Sequence, residues 1–493
     1  MRSSAALEVL EVESPYVRLP ASIWVFFGIG AAVGALMANP WLTAASILVL
    51  PVFMSLLWRQ GETPVLLFAV GYQWLQVTAK VFHADVLGIP VDDMAESGTV
   101  ELAIYLGLIG LVVLSLGMRL GMRRLKRVRA VSAMLEAKTL SPDRAFVIYL
   151  VGTAFASVVQ KFAWIVSGLE QPLLALVVIK WVFFFVLGYV VLYRRERYFY
   201  FFTAVAIEFI SGIGFFSGFK IVLFVTLLVV FTVRYEIRLG TILSGTFVLA
   251  VLILLGAAWT SVKTEYREFL NQDTRRQVTL VSRSEQFGKL AELVGQLQPE
   301  DVFYALGPLF ERVAYVDYFA LTLDYVPRYR PHEEGHVWFN SIRHVFTPRI
   351  FFPNKPRLRS DSELTMQYTG LYLASDDQGT SISLGYMVES YIDFGYSGMF
   401  FPIFVLGLFW GYMYYYFMTR AKSTLLGFAF ATALLLGAYQ FEMASIKLLG
   451  GIMVKFIVLA LVVHFLQDRI ALWLHGHPEP AMPPRVIDQA AAA

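Results

Sequence analysis

Residues 100–130 read VELAIYLGLIGLVVLSLGMRLGMRRLKRVRA. Between Val100 and Met118 only Glu101 is charged, and such a run approaches the ~20 residues that carry an α-helix across a ~30 Å hydrocarbon core. Arg119, Arg123, Arg124, Lys126, Arg127 and Arg129 follow at once, then Lys138 and Arg144, against only Glu136 and Asp143. Basic residues crowded into a short loop resist translocation, so this loop is expected on the cytoplasmic side. One stretch thus predicts both a membrane-spanning helix and its direction.

Comparable apolar stretches recur outward from it, at about 22–38, 41–58, 63–82, 145–167, 173–193, 198–214, 220–234, 239–260, 394–418, 423–446 and 449–467. The expected fold is all-α and polytopic, with about 12 transmembrane helices. The short pair 198–214 and 220–234 is also readable as one broken helix. Alternation from the basic loop places Arg59, Arg194, Arg195, Arg197, Arg234, Arg238, Arg420, Lys422 and Arg469 on the cytoplasmic side, together with both termini. Glu8, Glu11 and Glu13 ahead of the first apolar run predict a retained first span at Ile23–Met37 and not a removable signal.

The composition agrees. Of 493 residues, 57% are hydrophobic, 15% aromatic and only 16% charged, well below the ~25% charged of an ordinary soluble protein. There is no cysteine, which excludes disulfide scaffolds, thiol catalysis and Cys-ligated metal clusters. The net charge of +3 sits in the short loops, where it sets orientation and does not recruit nucleic acid.

One segment departs from the pattern. Residues 261–393 are polar and rich in Tyr, Pro and charge, and the orientation makes them one large periplasmic loop, helical from Tyr266 to about Leu297 and irregular from Val326 to Phe352. The predicted organisation is a cytoplasmic segment 1–21, spans over 22–260, a periplasmic loop domain 261–393, spans over 394–467 and a cytoplasmic tail 468–493.

Within the loop, Arg343, Arg349, Lys355, Arg357 and Arg359 include no acid between the first and the last, and Pro348, Pro353 and Pro356 predict a stiff extended chain. Preorganised cations of this kind suit an anion, and arginine forks suit phosphate oxygens; lipid headgroups would serve as well as a substrate. In FISGIGFFSGFK (209–220) the glycines leave Lys220 at the outer end of a span, where it either snorkels or joins the same anion. Lys161, Lys180, Glu208, Glu442, Lys447 and Lys455 fall within or beside spans, where charge is expensive, and Lys180 with Glu208 is the predicted pair. Ahead of the tenth span, Glu389 and Asp393 share one helical face, making Glu389 a candidate base or sugar-binding carboxylate. HEEGH at 332–336 matches HExxH literally, yet Pro331 and Gly335 oppose the helix a zinc site needs, which leaves solvated loop histidines first and His336 or His344 as a proton acceptor without metal second.

ERVAYVDYFALTLDYVP (311–327), PRIFFPNKP (348–356), ESYIDFGYSG (389–398) and SGFK (217–220) resemble motifs of the bacterial oligosaccharide repeat-unit polymerases of O-antigen and exopolysaccharide synthesis, relatives of the O-antigen ligases. The motifs cover a small part of the chain. An arginine followed after ten residues by glycine, also described for that family, occurs at Arg359 and Gly370, and again at Arg234 and Gly245 on the side expected to be cytoplasmic. The family often has arginine where this chain has Lys220.

The resemblance implies a GT-C-like glycosyltransferase architecture in the bacterial inner membrane. It implies en bloc transfer of a glycan from undecaprenyl diphosphate to a newly arrived lipid-linked repeat unit, with no metal or other cofactor. Flippases and chain-length regulators are the implied protein partners. Carried onto this sequence, it makes Arg349, Lys355, Arg357 and Arg359 the diphosphate contacts, Arg312 and Lys220 secondary ones, and Glu389 or His336 the acceptor of the attacking hydroxyl's proton. Ligase-type transfer and lipid-linked oligosaccharide flipping are the alternatives.

Overall fold

A computed structural model describes residues 19–475 except 96, 126–129, 167, 213–219, 234–238, 273, 275–278, 348–350, 353, 357 and 374–380. Among the described residues the regular structure is helical throughout. In chain order the helices are α1 (Ala21–Gly34), α2 (Pro40–Leu57), α3 (Val65–Leu87), α4 (Val100–Gly121), α5 (Ala130–Thr139), α6 (Pro142–Ala163), α7 (Glu170–Val177), α8 (Ile179–Arg194), α9 (Tyr198–Gly212), α10 (Lys220–Val233) and α11 (Leu239–Asn271). There follow α12 (Arg283–Gln296), α13 (Pro299–Tyr304), α14 (Leu306–Val313), α15 (Val316–Tyr325), α16 (His336–Val345), α17 (Asp361–Thr369), α18 (Tyr386–Gly398), α19 (Phe400–Arg420), α20 (Thr424–Leu435) and α21 (Ser445–His475).

Eight of these are long and apolar enough to cross a membrane: α2, α3, α4, α6, the continuous α7–α8, α11, α19 and α21. In hydrocarbon only a helix or a closed barrel satisfies its backbone internally, which is why uninterrupted apolar runs become helices. α1, α9, α10 and α20 are apolar but shorter. At 1.5 Å per residue, the 14 residues of α10 reach only about 21 Å.

The bundle is built around α4 and α19. Gly117 and Gly121 of α4 face Gly407 and Gly411 of α19 so closely that a Cβ on any of the four would lie 2.1–2.3 Å from a backbone oxygen of the other helix. Glycine is the residue that permits such backbone contact in a helix pair. At the end bearing the basic loop, a buried Arg59–Glu62 pair (2.8 Å) is held by the Tyr414 hydroxyl and the Leu125 carbonyl. There too Glu136 of α5 accepts from the Thr424 and Leu425 amides at the start of α20.

Several sequence expectations change here. Residues 326–352 are not irregular throughout, because α16 forms at 336–345 and carries Arg343 on its last turn. α11 does not stop at residue 260 but runs on to Asn271, so Lys263 and Arg267 extend a spanning helix. Nor is the 261–393 segment packed on its own: Val316, Phe319, Ala320, Tyr386 and Tyr391 belong to the same core as the spans. A smaller core of Val262, Tyr266, Leu270 and Leu293 ties the end of α11 to α12. The short apolar pair forms two helices, α9 and α10.

Candidate functional site

The site arises where α20 ends early. Its last turn tightens into a 3-10 turn at Leu436–Tyr439, and residues 440–444 are non-helical before α21 begins. Backbone groups freed within a bundle need partners. Two glutamines of α3, three apart and on one helix face, supply them. Gln73 donates to the Ala438 carbonyl (2.8 Å) and accepts from the Tyr386 hydroxyl (2.8 Å). Gln76 accepts from the Phe441 amide (3.0 Å) and donates to Glu442 Oε2 at 2.6 Å.

Beside this break lies an aromatic trio. The rings of Tyr72, Phe224 and Tyr439 meet edge to face with centroids 4.9–5.2 Å apart. Lys220, the accessible first residue of α10, holds its Nζ 5.5 Å from the Tyr439 ring centroid, within cation–π reach. Arg312 comes from the last turn of α14, a helix docked on α3 by stacking of Phe310 on His83 at 5.6 Å. Lys263 and Arg267 lie one turn apart on α11.

Arg312 repels each of Lys220, Lys263 and Arg267, and Glu442 attracts Lys220. Arg312 thus sits among three other cations, like charges raise one another's energy, and an anionic ligand relieves that cost. Chemically, the arrangement can hold a multivalent oxyanion beside aromatic surface and a single carboxylate.

The structure therefore brings Lys220 and Arg312 together. Arg349 and Arg357 lie outside the described residues. Lys355 donates to the His344 carbonyl (2.5 Å), and Arg359 is exposed on the segment before α17. Glu389 is buried and accepts from the Ser445 amide (2.8 Å), capping α21; burial pushes its carboxyl up to about 7, against the Ser445 hydrogen bonds that lower it. Asp393 does the same for α16 through the Val337 and Trp338 amides (3.0 and 2.8 Å), and burial raises its carboxyl also. Glu389 and Asp393 are thus one turn apart on α18, each holding a different helix N-terminus.

His336 opens α16 with its Nδ1 2.6 Å from the Glu333 carbonyl, whereas His332 Nδ1 faces the Tyr391 and Ile392 carbonyls. HEEGH is a turn leading into a helix, so its two imidazoles do not share a helical face, and Glu333 accepts from the Tyr368 hydroxyl (2.8 Å). Among the described residues no three His, Cys, Asp or Glu side chains converge as metal ligands. The expected Lys180–Glu208 pair forms at 2.6 Å, joined by the Tyr149 hydroxyl. Lys447 pairs with Asp361 (2.5 Å).

Sequence reasoning missed Gln73, Gln76, Lys263 and Arg267 as site residues and took Glu442 only as a charge near a span. The available signals were two glutamines three apart inside an apolar run, and two cations four apart just beyond one.

The fold and this cluster define the class: an all-helical protein of membrane-spanning length with a cation-rich site at the broken end of a helix. The chain matches the family model described as a domain of unknown function, DUF8712, over residues 71–472, and it belongs to that family. The matched range contains every residue of the site, from Tyr72 to Glu442. No curated protein and no solved structure matches the chain.

Proposed function

We propose that this protein polymerises undecaprenyl-diphosphate-linked oligosaccharide repeat units into O-antigen or exopolysaccharide on the periplasmic face of the bacterial inner membrane. In this reading all twelve apolar helices span, α12–α18 are periplasmic and both termini are cytoplasmic. The observation that carries it is the electrostatic reach of Arg312 to Lys220, Lys263 and Arg267, with Glu442 acting on Lys220. Cleaving the anomeric bond of a glycosyl diphosphate develops negative charge on the leaving group. Cations already in place stabilise that charge more in the transition state than in the ground state. Arg312 offers a guanidinium fork, Lys220 a point charge, and the Tyr72–Phe224–Tyr439 surface suits the first isoprene unit or a sugar face.

The test is reconstitution of the purified protein in lipid with undecaprenyl-diphosphate-linked repeat units, products being resolved by length. A ladder of repeats is expected. Unchanged single repeats from folded protein refute the proposal, and transfer of one glycan to a lipid A core acceptor without a ladder replaces it with the ligase reading.

A further inference from the structure

Glu442 has a geometry that diphosphate binding does not require. A carboxylate among cations weakens their grip on an anion, so a site for binding alone is better without it. Yet this one is held. Gln76 fixes Oε2 at 2.6 Å while its own carbonyl oxygen holds the Phe441 amide next door, so the clamp sets both the backbone and the side chain of the 440–444 segment. Tyr315 locks that turn of α3 through its amide on the Gln76 carbonyl (3.1 Å). Oε1 of Glu442 accepts no hydrogen bond among the described residues. The charged and titratable groups facing Glu442 are Lys220 of α10, Tyr72 of α3, Tyr439 of the 3-10 turn and Tyr315 at the head of α15. Lys220 is the cation among them.

We infer that Glu442 is the general base of the transfer reaction, with Gln76 its positioning residue. This rests on the reading of the site as a glycosyl-transfer centre. In the step, the acceptor sugar's hydroxyl oxygen forms the new bond to the donor's anomeric carbon, and its proton passes to Glu442 Oε1. The bond from that carbon to the diphosphate oxygen breaks, and the lipid diphosphate departs with the electron pair into the cations. The carboxyl then returns its proton to solvent or to the departing diphosphate, so no other reactant is needed. Glu389 and His336 are not required for this step, since each is engaged elsewhere.

The experiment uses the full-length protein in lipid and reads two quantities for wild type, Glu442→Gln and Glu442→Asp. One is the single-turnover rate of transfer across pH, and the other is binding of undecaprenyl diphosphate itself. Glutamine keeps the shape and still accepts the Gln76 hydrogen bond. Its rate is expected to fall by about 10²–10⁴-fold, with undecaprenyl diphosphate bound at least as tightly as by wild type and the acid limb of the pH profile abolished. Aspartate restores part of the rate and the acid limb. A Glu442→Gln rate within threefold of wild type with an unchanged pH profile overturns the inference. So does an equal loss of rate and of binding, which would make Glu442 an organiser of the site. A wild-type protein that binds undecaprenyl diphosphate but makes no product refutes the glycosyl-transfer reading itself, and the base falls with it; the two failures are distinguished by whether wild type turns over.

Discussion

Replacing Gly411 by alanine tests the helix pair on which the whole bundle is built. The new Cβ would stand 2.1 Å from the Met118 carbonyl oxygen, whereas an ordinary C···O approach is about 3.3–3.6 Å. α19 must therefore withdraw from α4 by about 1.2 Å. The obstacle is backbone, with no flexible side chain to yield, and the same close approach repeats at Gly407 against Leu114 (2.2 Å), so withdrawal at one turn loosens the next. Overpacking of this kind costs up to about 3 kcal/mol, and the better helix propensity of alanine returns about 1 kcal/mol. The net expectation is a loss of about 2 kcal/mol, read by thermal or SDS-induced unfolding of purified protein in micelles. Gly71→Ala is the control, since a Cβ there meets nothing within 4 Å; it should be neutral or stabilising by up to about 1 kcal/mol. Gly407→Ala combined with Gly411→Ala should cost less than the sum, because one separation of the helices relieves both contacts. A Gly411→Ala protein as stable as wild type within about 0.5 kcal/mol would refute the argument.

Three further outcomes are expected. Glu389, outside the spanning segments, has its carboxyl raised from 4.5 to about 7 by burial; the folded state holds that proton more tightly than the unfolded one, so its contribution is fully present below about pH 4.5 and is lost as pH rises through about 7. Glu389→Gln should flatten this decline in a pH series of melting temperatures, and an unchanged slope would remove Glu389 as its source. Lys180→Met leaves the buried Glu208 without its partner at 2.6 Å and should cost about 3–5 kcal/mol, whereas Lys180→Met with Glu208→Leu should recover most of it; equal losses in both variants would contradict that account. A periplasmic reporter fused after Gln298 should be active and one after Lys138 inactive, and the reverse pattern would invert the proposed orientation.

The membrane helices were legible because hydrocarbon imposes one solution on an apolar run. Every stretch read as a span is helical over most of its length, including the short 198–212 and 220–233, although 423–446 gives way to a non-helical segment at 440–444. The connecting segment was less legible because its helices are stabilised by contacts distant in sequence. α16 begins after Gly335, held at φ +92°, and is fastened by Asp393, some 55 residues away; nothing in HEEGHVWF announces that cap. The same holds for the site. Lys220 and Arg312 stood out as cations in a glycine turn and a family-like motif. Gln76 was passed over because its partner Glu442 lies 366 residues away in sequence. Lys263 and Arg267 were assigned to a loop because the apolar run ends before them, although the helix does not.

How the helix N-termini are filled says what the site is for. α21 receives Glu389, α16 receives Asp393, and α20 receives Glu136 together with the Ser423 hydroxyl. Each positive helix end is answered by an internal acceptor. α10 begins on Lys220, with Arg312 near enough to repel that lysine and Glu442 near enough to attract it. Lys220 has Glu442 on one side and Arg312 on the other, and the repulsion from Arg312 favours an anion that arrives from outside. The consequence is measurable. Lys220→Gln removes a charge that Arg312 repels while Glu442 attracts it, so the variant should melt close to wild type while losing both undecaprenyl diphosphate binding and product formation. A variant that is less stable, or that still binds the lipid diphosphate as wild type does, would show that the cations around α10 serve the fold and not a ligand.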